Sequence, residues 1–269
     1  MHHKKELFGS ERFSFGSNWS HFLRVLNNDR IELAAESLRK MLSIHDLAGK
    51  SFLDVGSGSG LFSLAARQMG ARVHSFDNDS ASVECTRELK RRYFPDDSDW
   101  IVEEGSVLNK SYLKNLGKFD VVYSWGVLHH TGSMWEALDN ITMTVSGKLY
   151  ISIYNDQGWI SNYWKIVKKF YNQNKVGKFM MVVIHIPYLI VLRYLFRKIT
   201  FRPIERGMNL WYDMHDWLGG YPFEVSSTDK ILDFYEKLGY TIHNIVPCGE
   251  KLGCNEFVFA RSKKGQLER

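Results

Sequence analysis

The chain has 269 residues, 44% hydrophobic, 14% aromatic and 24% charged, with 21 Gly and only 5 Pro. At roughly 1.8 times a typical ~150-residue domain it carries enough apolar mass for a core, which excludes low-complexity disorder, a collagen repeat and a disulfide scaffold. The net charge of +5 is uneven: nine Lys and Arg and no acid lie between Asp156 and Glu205, and removing them takes the balance to −4, so a basic excess marks one local surface.

Residues 1–49 read as an N-terminal helical segment, with a helix from about Asp29 to Ile44. The opening residues, Met1 to Glu6, have no apolar stretch and predict no secretory leader. From Ser51 to Tyr154 short β-rich runs alternate with helical periodicity. Strand 51–55 ends in a glycine loop, and Leu61 to Met69 follows as a helix with Leu61, Leu64, Ala65 and Met69 on one face, stopped by Gly70. A strand over 72–76 leads to a helix from about Ser80 to Arg92 that Pro95 closes. Strands over 100–102 and 119–123 come next, then a helix over roughly 134–145 and a strand over 148–154. This alternation predicts a parallel α/β sheet with helices on both faces, with ligands at the carboxyl ends of its strands. Residues 156–224 interrupt the pattern as a basic, aromatic helical insertion. The finish is helix 227–238, capped by Ser227 or Thr228 and stopped by Gly239, then strands 241–246 and 256–260; residues 262–269 form a polar tail.

The strongest chemical signal is Asp54-Val-Gly56-Ser57-Gly58-Ser-Gly60-Leu61. Glycines at a strand-to-helix turn adopt backbone angles closed to other residues and let a ligand approach the main chain. A dinucleotide fingerprint fails because Leu61 stands where its third glycine belongs. A P-loop fails because Leu61-Phe-Ser63 replaces Gly-Lys-Ser/Thr. An acidic residue before the glycines repels phosphate and attracts an ammonium or sulfonium, and S-adenosylmethionine carries both. Asp77, 23 residues after Asp54 at the end of the second strand, suits two ribose hydroxyls. The competing role for Asp77 or Asp79 is to cap the next helix.

With Glu104-Gly-Ser-Val107 and Phe119-Asp-Val-Val-Tyr-Ser-Trp-Gly-Val-Leu-His-His130, these motifs resemble class I S-adenosylmethionine-dependent methyltransferases, most of all the small-molecule branch that includes ubiquinone-pathway O-methyltransferases. The resemblance covers about 50–154 and 227–261. It implies a Rossmann-like, seven-stranded, mostly parallel sheet with an antiparallel last strand, in a cofactor domain built from 50–155 and 225–261. It also implies that Asp54 and Gly56 flank the methionine amino group, that Ser57, Gly58 and Gly60 complete the loop, and that Asp77 and Asn78 hold the ribose. Ser106 and Val107 fall where the family touches adenine, although many members have an aspartate at Ser106, and Ser124 and Trp125 fall beside the cofactor.

Methyl transfer to an alcohol needs a base. His129 and His130 follow the fourth strand, and His215 and Asp216 lie in an aromatic stretch, Trp211 to Glu224, suited to a small-ligand wall. Capping and core packing are the competing roles. His185, alone in an apolar run, reads as a core or interface residue. Cys248, Cys254 and His243 are too irregularly spaced for zinc, and no metal site is expected. Cys85, Cys248 and Cys254 form no CxxC pair and read as free thiols of a reducing cytoplasm. The apolar run Phe179 to Leu192 has 14 residues, short of the ~20 that span a bilayer. It predicts either a buried lid or a peripheral contact at the inner face of a membrane, through about 159–206. No nucleic-acid partner is expected. The expected function is a cytoplasmic methyltransferase acting on a small-molecule, glycan- or lipid-linked acceptor, at oxygen. The alternatives are an RNA or protein methyltransferase and a cofactor-binding pseudo-enzyme scaffold.

Overall fold

The computed structural model describes residue 23 and residues 26–192, 210–249 and 252–261. The first helix, α1 (Asn28–Leu42), starts where Asn27 Oδ1 accepts the Arg30 amide at 3.1 Å. It buries Ile31, Ala34, Ala35, Leu38 and Leu42, the stripe that 3.6-residue periodicity selects. Then follow β1 (Ser51–Val55), α2 (Leu61–Gln68), β2 (Arg72–Asp77), α3 (Ser80–Tyr93), β3 (Trp100–Glu104), α4 (Lys110–Leu116), β4 (Phe119–Trp125), α5 (Met134–Ile141) and β5 (Val145–Tyr154). After residues 158–224 come α9 (Thr228–Lys237), β6 (Tyr240–Val246) and β7 (Cys254–Arg261).

The seven strands form one sheet in the order β3-β2-β1-β4-β5-β7-β6, and only β7 runs against its neighbours. This is the sheet that the sequence led one to expect. Along β1, β4 and β5, adjacent residues point to opposite faces: Phe52, Val121 and Tyr150 join one core, and Leu53, Val122 and Ile151 the other. The connection reverses direction between β1 and β4, so the crevice beside the ends of these two strands is the switch point.

Some expectations are corrected. The helix after Ser133 ends at Ile141, not near Val145, and a 3-10 turn, Thr142–Thr144, leads into a strand that begins at Val145. There the Thr142 and Thr144 hydroxyls donate back to the carbonyls of Asp139 and Ile141, which competes with helix continuation. Helix α4 was not anticipated; it is two turns long, too short for a periodic signal, and is capped by Asn109. In α2 the fully buried polar residue is Ser63, whereas Leu61 is only partly buried. Ser227 occupies the N-cap of α9 without a side-chain bond.

The structure divides into two compact units: Gly158–Glu224 belongs to one and the sheet to the other. Within 158–224 lie α6 (Trp159–Gln173), α7 (Lys175–Ile186), a π-type turn Pro187–Leu192 and α8 (Leu210–Gly219). Asn174 caps α7 by accepting the Gly177 amide at 2.8 Å. A Cβ on Gly177 would stand 2.4 Å from the Phe170 carbonyl oxygen, so a glycine there lets α7 close onto α6. Lys168 is fully buried: its ammonium donates to the Trp217 carbonyl near the end of α8 and lies 4.2 Å from the Trp217 ring centre. His185 is a satisfied core residue, with Nδ1–H donating to the Met181 carbonyl at 2.7 Å and Nε2 accepting from the Tyr163 hydroxyl at 2.8 Å. Of the nine basic residues, Arg193, Arg197, Lys198 and Arg202 lie outside the described residues.

Candidate cofactor and active site

The loop after β1 uses its three glycines as the sequence suggested: Gly56, Gly58 and Gly60 have φ of +81°, +54° and +79°. At Gly56 the requirement is also steric, since a Cβ would lie 2.5 Å from both Val127 methyls. The amides of Gly56 and Ser57 both donate to the Phe76 carbonyl, at 2.8 and 3.1 Å, and the Ser57 hydroxyl meets Thr86 Oγ1 at 2.9 Å. The loop is therefore fixed from β2 and α3 before any ligand arrives.

Asp54, near the end of β1, is only 2% exposed. Ser63 Oγ donates to its Oδ2 at 2.5 Å, Ser63 and Ser75 hydroxyls lie 2.7 Å apart, and Trp100 Nε1 donates to Ser75 Oγ at 2.9 Å. A serine has one proton. With that of Ser63 committed to Asp54, Ser75 must donate to Ser63, so three donors in series point at the carboxylate. Burial nevertheless pushes the Asp54 carboxyl up to about 7; the Ser63 bonds oppose this and the Asp77 charge adds to it.

Asp77, at the end of β2, accepts the Gly58 amide on Oδ2 at 3.0 Å and the Asp79 amide on Oδ1 at 2.9 Å. The capping of α3 falls to Asp79, which accepts the Ala81 amide. Asn78 is exposed. Past β3, the Gly105 amide donates to the Asp77 carbonyl at 3.0 Å, which ties Ser106 and Val107 to the same strand end. Ser106 Oγ accepts the Leu108 amide, and Val107 is buried with its carbonyl bonded to Asn140. Ser124 is fully buried and donates to the Val55 carbonyl at 2.9 Å, which locks β4 to β1; Trp125 is partly buried.

His129 and His130 form a 3-10 turn with Leu128 and are buried, at 0% and 8% exposure. Their rings pack on Tyr154 at the end of β5, with centroids at 4.1 and 5.6 Å. His215 belongs to the 158–224 unit, where Nδ1 meets the Tyr171 hydroxyl at 2.7 Å; burial first, and then Lys178, hold its pKa below the usual imidazole value. The side chains of Asp216, Trp211 and Asp213 lie outside the described residues. The structure thus gathers Asp54, the glycine loop, Asp77 and the Ser106 turn at adjoining strand ends, and His215 does not share that unit. Sequence reasoning missed Ser63, Ser75, Thr86, Trp100 and Tyr154. Two of these left a trace: Ser63 and Ser75 are polar residues inside apolar runs.

Residues 26–195 match the family described as Methyltransferase domain. A 94-residue stretch is 37% identical to the ribosomal protein L11 methyltransferase of Prochlorococcus marinus (strain MIT 9515), covering 34% of this chain and 29% of that one. The chain thus spans less than a third of the length of this curated relative. Among solved structures, the magnesium protoporphyrin IX methyltransferase of Synechocystis PCC 6803 superposes with a TM-score of 0.54 at 14% identity, covering 92% of this chain and 96% of that one. An O-methyltransferase family protein from Burkholderia thailandensis does so with a TM-score of 0.54 at 13% identity, over 93% and 63%. At such identities the likeness is one of fold. Because the family match takes in more than half of its length, the chain belongs to the methyltransferase domain family.

Proposed function

We propose that S-adenosylmethionine is held over the Gly56–Gly60 loop and that the chain passes its methyl to an oxygen of a small-molecule, glycan- or lipid-linked acceptor, as in the small-molecule branch that the sequence resembles. The observation that carries this reading is the charge around the loop: Asp54 and Asp77 flank it from adjacent strand ends. Two carboxylates repel a phosphate and attract a cation. The residues present fit the cofactor. Gly56, Gly58 and Gly60 hold the loop at positive φ, and at Gly126, at the end of the neighbouring β4, a Cβ would meet nothing within 4 Å. When bound, the cofactor supplies an electrophilic methyl on a sulfonium.

The chain's own residues then have separable roles. Asp54 faces the methionine amino group with its negative charge, and Gly56, Ser57, Gly58 and Gly60 shape the cradle. Asp77, whose carboxylate accepts the Gly58 and Asp79 amides at the end of β2, holds the two ribose hydroxyls, and Asn78 borders them. Ser106 and Val107 border the adenine, and Ser124 and Trp125 form the strand-side wall. His130, the less buried of the histidine pair, takes the acceptor proton, and His129 and Tyr154 hold its ring.

The identity to a ribosomal protein methyltransferase favours one other reading, a protein acceptor. Calorimetry with S-adenosylmethionine, followed by labelled-methyl transfer to cell extract separated into lipid, small-molecule, glycan, RNA and protein fractions, tests both. Label in the small-molecule, lipid or glycan fraction supports the proposal. Label confined to protein or RNA selects the other reading, and binding without any transfer marks a scaffold.

A further inference from the structure

We infer that the exposed face of the α6–α7 hairpin docks onto an anionic lipid surface, lying in its interface rather than crossing it. This inference is independent of which acceptor is methylated. On α6, Trp159, Tyr163, Ile166 and Phe170 are all exposed and recur at steps of four, three and four, which places them on one stripe; Trp159 is 78% exposed. On α7, Val176, Phe179, Met180, Val183 and Ile184 form a second exposed stripe at the same periodicity, with Phe179 at 69%. Helix α6 is therefore apolar on two sides, and the large apolar side chains of α7 lie on its outer stripe. Trp164, Val167 and Tyr171 of α6 and His185 of α7 face the interior of their own unit, and the opposite stripes face outward. Scattered exposed apolar residues need no explanation, but nine in two adjoining stripes do.

The charges select the occupant. Lys165, Lys169 and Lys175 are exposed on the same two helices, and no acidic residue occurs between Asp156 and Glu205. A second copy of this chain seated face to face would set lysines against lysines. A bilayer with anionic headgroups instead takes the aromatic and aliphatic side chains into its acyl boundary while the lysines reach phosphate. Length and composition decide between lying in and spanning: α7 and the π-helical residues that continue it run from 175 to 192, short of the ~20 apolar residues of a span, and carry Lys175, Lys178 and His185. Among the described residues no helix is long and apolar enough to cross a membrane.

The test is sedimentation of the full chain with vesicles of phosphatidylcholine alone or of equal parts phosphatidylcholine and phosphatidylglycerol, at ~0.05 M and ~0.5 M salt. The expected result is at least tenfold stronger binding to the phosphatidylglycerol vesicles at low salt, weakened at high salt. Phe179→Ser with Val183→Ser should abolish binding to both vesicle types. Lys165→Gln with Lys169→Gln should lower only the anionic preference, by roughly fivefold for each lysine at the surface. All four positions are exposed, so unchanged circular dichroism and S-adenosylmethionine affinity should accompany the loss. Equal binding by wild type and both double variants overturns the inference, as does no binding at low salt. A wild-type dimer in analytical ultracentrifugation that Phe179→Ser with Val183→Ser dissociates, without vesicle binding, overturns it in favour of self-association.

Discussion

Replacing Asp54 with Asn tests the electrostatics of the site through stability, without recourse to a substrate. Asp54 is fully enclosed, and its carboxyl is pushed from 3.8 up to about 7 by burial. The folded chain therefore keeps a proton that the unfolded chain has already lost between about pH 4 and pH 7. Because the folded state then binds more protons, the Asp54 contribution to stability is fully present below pH 4 and is lost as pH rises through 7. The total loss is roughly 4 kcal/mol above pH 7, with a slope approaching 1.4 kcal/mol per pH unit inside the window. Asparagine keeps the shape and an amide oxygen to accept from Ser63, but cannot ionise. Asp54→Asn should therefore be more stable than wild type at pH 8, by up to about 4 kcal/mol, and should equal it near pH 4. Urea denaturation of the cofactor-free protein at several pH values between 4 and 8 measures this difference. The same variant should bind S-adenosylmethionine at least tenfold more weakly at pH 8. If wild type and variant show parallel stability profiles across that range, Asp54 is not the titrating group and the argument from its burial fails.

Asp77→Ala removes the acceptor for two loop amides and, on the proposed reading, for two ribose hydroxyls; calorimetry should show affinity reduced at least tenfold, whereas a loss below threefold confines Asp77 to holding the loop. Gly56→Ala adds a methyl against Val127 at a positive φ, so melting temperature and cofactor affinity should both fall, and adding Val127→Ala should recover part of the loss; no recovery would point to backbone strain alone. His130→Ala should lower turnover by ~100-fold with cofactor affinity unchanged, and near-full turnover would remove it as the base. Lys168→Met keeps the aliphatic stem but loses the bond to the Trp217 carbonyl and the ring contact, which should destabilise the 158–224 unit by roughly 2 kcal/mol. Hydrogen exchange confined to that unit would register the change, and unchanged protection there would refute it.

What could be read along the chain was whatever depends on near neighbours. The positive-φ glycines after β1, the short apolar runs of β1 and β4, and the Asp79 cap of α3 are short-range requirements, and each was written within a few residues. The same holds for Asp54 and Asp77, which mark the strand ends where chemistry occurs in such sheets. The supporting network was not legible, because its members are far apart in the chain. Ser75 meets Ser63 only since β2 pairs with β1 in the register that sets Ser75 beside Asp54, and Trp100 joins them only since β3 pairs with β2. Lys168 likewise reads as one more charge in a basic run until a helix 49 residues later brings its terminal carbonyl to the ammonium. The apolar run after Phe179 was ambiguous for a related reason. Periodicity identifies a stripe, but whether that stripe faces a core or the outside depends on which side of the helix its packing partners occupy, and only tertiary contacts decide that.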